Sequence, residues 1–143
     1  MRVILDANVL ISGIGSLSTS SGVMPTLIHA WFNDEFEVVI TSEIKREVGD
    51  AWTKRYWQNR LPPGFVRAAI QTIDTLALTV EVSGLVSGEA PHWQDDHILE
   101  AALVGECDYI VTGDTELQHL GAFQGIRIVS PTGFLTAITP VGQ

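Results

Sequence analysis

Five acidic residues lie where the predicted secondary structure would bring carboxylates to one edge of a β-sheet. Asp6 and Asp114 come at or just beyond the ends of apolar, strand-like runs, and Glu47 lies about one helical turn beyond another. Asp95 and Asp96 begin the helix that leads into the strand before Asp114. Because ligands bind beyond the carboxyl ends of the strands in open parallel sheets, we expect these side chains to share one site.

A site built from several carboxylates requires a cation. Without one, the carboxylates would repel each other and some would stay protonated. Mg²⁺ and Mn²⁺ are hard cations that prefer oxygen ligands, and they can acidify water and clamp both oxygens of a phosphodiester displacement. The acids therefore predict metal-assisted hydrolysis of phosphate esters.

Each acid also has a purely structural interpretation. A lone Asp at a strand end or helix start often serves as a cap or turn residue, which applies to Asp95, Asp96 and Asp114. Glu47 follows Glu43 by four residues, as it would on a solvated helix face. Asp6 is the strongest candidate, because an apolar strand would carry it to a place where an unpaired charge is costly.

The elements that must position these acids alternate along the chain. Apolar runs predict strands over residues 2–5, 37–40, 78–82, 109–111 and 126–129. Helical patterns cover residues 25–32, 43–57, 65–76, 96–104, 115–120 and 131–138. The Ser- and Gly-rich stretch 12–22 predicts a flexible loop. Strands that alternate with helices and lack tight hairpin signals predict an α/β fold with a parallel sheet covered on both faces.

Composition favours one compact domain over residues 1–143. Apolar residues make up 45% of the 143 residues, and no apolar stretch has the length of a membrane helix. Asp6 and Asn8 interrupt the apolar start, unlike a signal sequence, so we expect a cytoplasmic protein with no membrane association. The single Cys107 excludes an internal disulfide and a cysteine-rich zinc site, so any metal would be held by oxygen.

The charge distribution bears on nucleic-acid binding in two opposite ways. A net charge of −9 argues against it, because Lys and Arg contacts to phosphate supply most non-specific affinity. Six of the eight basic residues nevertheless lie within residues 45–67, interleaved with aromatic residues, which leaves room for a local polyanion-binding face. Four of them are candidates for steering phosphate: Lys45, Arg46, Lys54 and Arg55.

Four motifs together resemble those of PIN-domain nucleases, most closely the toxin-component branch of that family. They are Leu5-Asp6-Ala7-Asn8-Val9-Leu10, the helix 42–48 around Glu47, the segment 95–102 that begins Asp95-Asp96-His97, and Val111-Thr112-Gly113-Asp114. The resemblance implies a three-layer α/β/α sandwich with a central, mainly parallel five-stranded sheet. It also implies a Mg²⁺- or Mn²⁺-dependent endoribonuclease whose carboxylates are Asp6, Glu47, Asp95 and Asp114, with Asn8 and Thr112 as polar supports.

The resemblance leaves one metal ligand open and implies partners that the sequence does not name. A one-residue slip allows Asp96 in place of Asp95, although the register of Ile98 and Leu99 favours Asp95. Many relatives are toxins inhibited by a cognate antitoxin protein that covers the acidic cleft, and many form homodimers. The chain departs from the family pattern at Gln94, where another Asp is common, in the length of segment 12–22, and in its acidity.

The first functional hypothesis is thus a metal-dependent ribonuclease. In it Asp6, Asp95 and Asp114 hold the cation, and Glu47 binds the cation or orients the attacking water. One alternative is a phosphatase with Asp6 as nucleophile, which fits poorly because Asn8 occupies the place of the second Asp that such enzymes use. The other alternative is a non-catalytic PIN-like scaffold whose acids bind a basic segment of a partner.

Overall fold

A six-stranded sheet forms the centre of the protein, in a computed structural model that describes residues 1–19 and 21–140, apart from the side chain of Gln94. In chain order the strands are β1 (Arg2–Leu5), β2 (Glu37–Thr41), β3 (Leu78–Val80), β4 (Tyr109–Val111), β5 (Ala122–Phe123) and β6 (Ile126–Val129). The helices are α1 (Ala7–Gly15), α2 (Val23–Phe32), α3 (Ser42–Trp52), α4 (Arg55–Gln58), α5 (Phe65–Leu76), α6 (Asp96–Val104), α7 (Thr115–His119) and α8 (Pro131–Ile138). None of these helices has the length and hydropathy needed to cross a bilayer.

The strand order β3-β2-β1-β4-β6-β5 places β1 and β4 side by side at the middle of the sheet. All pairs are parallel except β5 with β6. The chain moves outward from β1 to β3 and then returns across the sheet to β4. Right-handed crossovers in opposite directions put their helices on opposite faces, and the crevice between β1 and β4 is the point where the direction reverses.

Two helical layers cover the sheet. In one layer α1 packs against α2 and α3, α3 against α5, and α2 against α8. In the other, α6 packs on β1, β2 and β4. The α/β fold with a mostly parallel sheet is confirmed, and all five predicted strands are present.

The sixth strand, β5, was not predicted. It pairs antiparallel with β6 through a two-residue turn in which Gln124 and Gly125 have φ values of 50° and 85°. Positive φ at both central residues is the geometry of a tight hairpin turn. The expectation that the chain lacks tight hairpins is therefore wrong at this edge of the sheet.

The predicted loop over residues 12–22 is also wrong in its first part, because α1 continues through Gly15. The α1 face that includes Val9, Leu10 and Ile14 is buried in the core, and this burial outweighs the low helix propensity of the glycines. A Cβ atom on Gly13 would lie 2.5 Å from the Ile28 side chain. Gly13 thus permits close packing of α1 on α2 rather than a loop. Ser20, within the predicted loop, lies outside the described residues.

The helix predicted over residues 43–57 is divided into α3 and α4. Trp52 ends α3 fully buried, and its Nε1 donates a hydrogen bond of 3.3 Å to the Ile11 carbonyl of α1. Thr41 begins α3 as its cap, with its side chain accepting from the Ile44 N–H. Together these contacts fix α3, and with it Glu47, against the edge of the sheet.

Candidate active site

The two central strands bring Asp6 and Asp114 to one place. Leu5 pairs with Val111, and the Asp6 N–H donates to the Val111 carbonyl at 3.0 Å. Thr112 is fully buried between the acidic segments. Its Oγ1 donates to Asp6 Oδ2 at 2.8 Å and accepts from the Asp114 N–H at 3.0 Å. One hydroxyl therefore ties the ends of both strands together.

Asp6 and Asp95 each occupy the residue before a helix, where an Asp side chain ordinarily caps the helix N terminus. Neither side chain makes a capping hydrogen bond. Asp114 does cap α7, with its Oδ1 accepting from the Glu116 N–H at 2.9 Å. The capping interpretation thus applies to Asp114 but does not account for Asp6 or Asp95.

The electrostatics link the four predicted catalytic acids to each other. Partial burial raises the pKa of Glu47, the neighbouring His97 opposes this, and Asp6 raises the pKa further. Burial also raises the pKa of Asp95, and both Asp6 and Asp114 add to that rise. The carboxylates are therefore near enough to influence one another's pKa.

An open cavity of about 640 Å³ lies over this cluster. Its lining includes the carboxylates of Asp6, Glu43, Glu47, Asp95, Asp96 and Glu100. His97 also lines the cavity, and none of the described lining residues is Lys or Arg. Asp114 does not line it directly but contributes through its charge on Asp95 and its bond to Thr112.

A model of the PIN domain matches residues 2–116 of the chain. The chain belongs to the PIN domain family. No match was found among curated proteins or among solved structures. PIN domains are generally nucleases, and they generally use divalent metals such as Mg²⁺.

The acidic cavity of this PIN domain fits such a cation by its chemistry. Its donors are carboxylate oxygens, and partial burial together with neighbouring carboxylates raises the pKa values of Glu47 and Asp95. Among the described residues, no three His, Cys, Asp or Glu side chains form a ready-made metal site.

Asp96 takes a different position from Asp95. Its two oxygens accept hydrogen bonds from the N–H groups of Gly88, Glu89 and Ala90, at 2.9 to 3.1 Å. These bonds, led by those from Ala90 and Gly88, lower the pKa of Asp96. The carboxylate therefore holds the loop before α6, so the structure favours Asp95 over Asp96 as the residue that could bind a cation.

Glu100 continues the same arrangement one helical turn later. It is buried, and its carboxylate accepts from the N–H groups of Ser83, at 2.6 Å, and Val86, at 3.2 Å. These backbone bonds, with that from Ser83 the largest cause, lower the pKa of Glu100. Glu100 was not among the predicted site residues, although a charged residue inside the apolar stretch Ile98–Ala102 was a signal for it.

The polar and basic residues predicted to assist the site are dispersed. Asn8 is exposed in the first turn of α1. Lys45 Nζ lies 2.5 Å from Asp74 Oδ1 and so pairs with α5. Arg46 is close enough to lower the pKa of Glu47, whereas Lys54 and Arg55 are exposed around the start of α4. Thr112 is the predicted support that directly contacts the acids.

Proposed function

We propose that this PIN domain is a Mg²⁺- or Mn²⁺-dependent endoribonuclease, with Asp6, Glu47, Asp95 and Asp114 as its catalytic carboxylates. The observation that carries the proposal is that Asp6, at the end of β1 beside β4, and Asp95, just before α6, line the same cavity. Burial, Asp6 and Asp114 raise the pKa of Asp95, and carboxyl groups perturbed in this way cluster at functional sites.

Three of these acids, Asp6, Asp95 and Asp114, would hold the cation. When bound, the cation supplies positive charge to the phosphate oxygens and acidifies water in the site. Thr112 fixes the orientation of Asp6 through Oδ2, as a supporting hydrogen bond to a ligand does in other metal sites. Glu47 orients the attacking water and accepts its proton at the carboxylate, a role that its raised pKa favours.

Further proposals concern the cellular role. They are that the protein is the toxin of a toxin–antitoxin pair, that it acts in the cytoplasm, that residues 1–143 form one domain, and that it is a homodimer. A basic segment of an antitoxin would complement a cavity whose described lining has six acids and no Lys or Arg. The resemblance to the toxin branch supports the same role.

The decisive experiment is cleavage of single-stranded RNA in Mn²⁺ or Mg²⁺ by the wild type and by Asp6→Asn. Asp50→Asn is the matched control, because it makes the same charge change at an exposed site on α3 outside the cavity. We expect Asp6→Asn to lower the rate by at least about 100-fold. Equal cleavage by the wild type and Asp6→Asn would remove Asp6 from the mechanism.

A second candidate function is a non-catalytic scaffold, which is favoured by the lack of a ready-made metal site among the described residues. Calorimetric titration with Mn²⁺ separates the two. A nuclease site takes up Mn²⁺ at millimolar or better affinity and loses that uptake in Asp6→Asn, whereas a scaffold shows no uptake that depends on the carboxylates.

A further inference from the structure

Trp93 stands at the rim of the acidic cavity with 77% of its surface exposed. Tryptophan is usually well buried, so an indole ring in this position requires an explanation. Among the described residues that line the cavity, it is the only Trp, Tyr or Phe. The other tryptophans differ: Trp31 and Trp52 are in the core, and Trp57 is half-buried.

The backbone that carries Trp93 is held on both sides. Trp93 begins a 3₁₀ turn that ends at Asp95, whose N–H donates to the His92 carbonyl at 2.9 Å. His92 Nε2 lies 2.6 Å from Glu116 Oε2 at the start of α7. Asp96 binds the loop that precedes the turn. An aromatic ring on a restrained backbone loses less entropy on binding than one on a mobile loop.

The charge of the cavity indicates what the ring contacts. The described lining of the cavity has no Lys or Arg, so the cavity itself offers no cationic side chain to a phosphate. Stacking of a nucleobase on an aromatic ring involves no net charge and works for every base. It would therefore add affinity for RNA without requiring cationic side chains.

We propose that Trp93 is a stacking platform for an unpaired base of the RNA at the rim of the acidic cavity. This inference rests on the proposed nuclease function and names a residue that would contact the substrate. In a duplex both faces of each base are already stacked, so no base is available to the indole without prior unstacking. Trp93 and Asp95 line the same cavity, so a base stacked on Trp93 would lie near the carboxylates that would hold the cation.

Binding of a short fluorescein-labelled RNA, measured by anisotropy in Ca²⁺, tests this proposal. The variants are Trp93→Ala, Trp93→Phe and the control Leu85→Ala. Leu85 is 84% exposed in the neighbouring loop, and its truncation removes apolar surface but no aromatic ring. Circular dichroism verifies the fold of each variant, and gels of parallel samples in Mn²⁺ measure cleavage.

We expect Trp93→Ala to weaken single-strand binding by about 5- to 150-fold, the range for loss of one stacked base. Trp93→Phe should retain most of the affinity, and Leu85→Ala should retain all of it. Replacing the contacted nucleotide with an abasic one should cost the wild type the same factor and cost Trp93→Ala little more. A duplex of the same sequence should bind weakly to every variant.

The results separate this inference from the nuclease proposal. If the wild type cleaves RNA and Trp93→Ala binds and cleaves it equally well, the stacking role is refuted and the nuclease proposal stands. If Leu85→Ala weakens binding as much as Trp93→Ala, the rim is an apolar docking surface, as for a protein partner, and the stacking role is again refuted. Trp93-dependent binding of single strands without any cleavage would support stacking and contradict the nuclease proposal.

Discussion

Replacing Asp95 with Asn should stabilise the metal-free protein and remove its response to metal. The pKa of Asp95 is raised in the folded state by burial and by its acidic neighbours. A carboxyl whose folded pKa exceeds its unfolded pKa stabilises the fold below the unfolded pKa, and this contribution is lost as the pH rises through the folded pKa. At neutral pH the ionised Asp95 is therefore destabilising, and Asp95→Asn relieves that cost.

In Mn²⁺ the order of stability should reverse, so that the wild type has a higher Tm than Asp95→Asn. At a concentration 100 times the Kd, a ligand stabilises the folded state by about 2.7 kcal/mol. The unfolding entropy of a 143-residue chain is about 0.3 kcal/mol/K, so the Tm of the wild type should rise by about 9 °C. If Asp95→Asn weakens the Kd about 100-fold, the same Mn²⁺ concentration should raise its Tm by only about 1 °C.

Thermal unfolding followed by circular dichroism at pH 7 tests both predictions. The scans in EDTA give the Tm difference between the metal-free proteins, and the scans in Mn²⁺ give the Tm shift of each protein on metal binding. Asp50→Asn is the control, because the metal response should survive a charge change outside the cavity. At a pH below the ordinary pKa of Asp, the difference between the metal-free wild type and Asp95→Asn should disappear. A lower Tm for metal-free Asp95→Asn at pH 7, or equal Mn²⁺ shifts in both proteins, would refute the reasoning.

Three further outcomes are expected. Thr112→Val removes the hydroxyl that bridges Asp6 and the Asp114 N–H. It should lower the free energy of unfolding, measured in urea, by about 1–3 kcal/mol and the affinity for Mn²⁺ by about 10- to 100-fold. Unchanged Mn²⁺ affinity would show that the hydroxyl does not position Asp6. Gly13→Ala should lower the free energy of unfolding by about 1–3 kcal/mol through overpacking against Ile28. Gly49→Ala in α3 has space for the added methyl group and should raise the free energy of unfolding by about 0.5–1 kcal/mol. Changes of the same sign in the two variants would contradict the packing argument. Burial raises the pKa of Cys107 to about 12. Alkylation of this thiol at pH 8 should therefore be slow in the folded protein and fast in urea. Equal alkylation rates would contradict the burial of Cys107.

The sequence predicted the fold well where apolar periodicity agrees with residues that typically begin or end a helix. Residues 65–76 and 131–138 form the expected helices, the second capped by Ser130. The failures have two causes. Strand β5 has two residues, too few for a periodic pattern, and its turn uses a Gln in the left-handed region. Helix α1 contains two glycines that composition assigned to a loop and that packing requires instead.

For the site, the spacing of the acids predicted a shared site but could not distinguish adjacent residues of the same type. Asp95 and Asp96 are adjacent residues of the same type. Only the path of the loop before α6 determines that backbone N–H groups donate hydrogen bonds to Asp96. Glu100 and Trp93 were overlooked for a related reason. Their roles depend on burial and exposure, which are set by the path of residues 82–93 rather than by local sequence.

The most direct test of the shared metal site is an anomalous-scattering map from crystals of the protein grown with Mn²⁺. The account predicts a peak within about 2.5 Å of carboxylate oxygens from both Asp6 and Asp114, with Asp95 on the same ion or on a second ion beside it. A peak on Asp96 alone, or Asp6 and Asp114 on separate ions far apart, would contradict it.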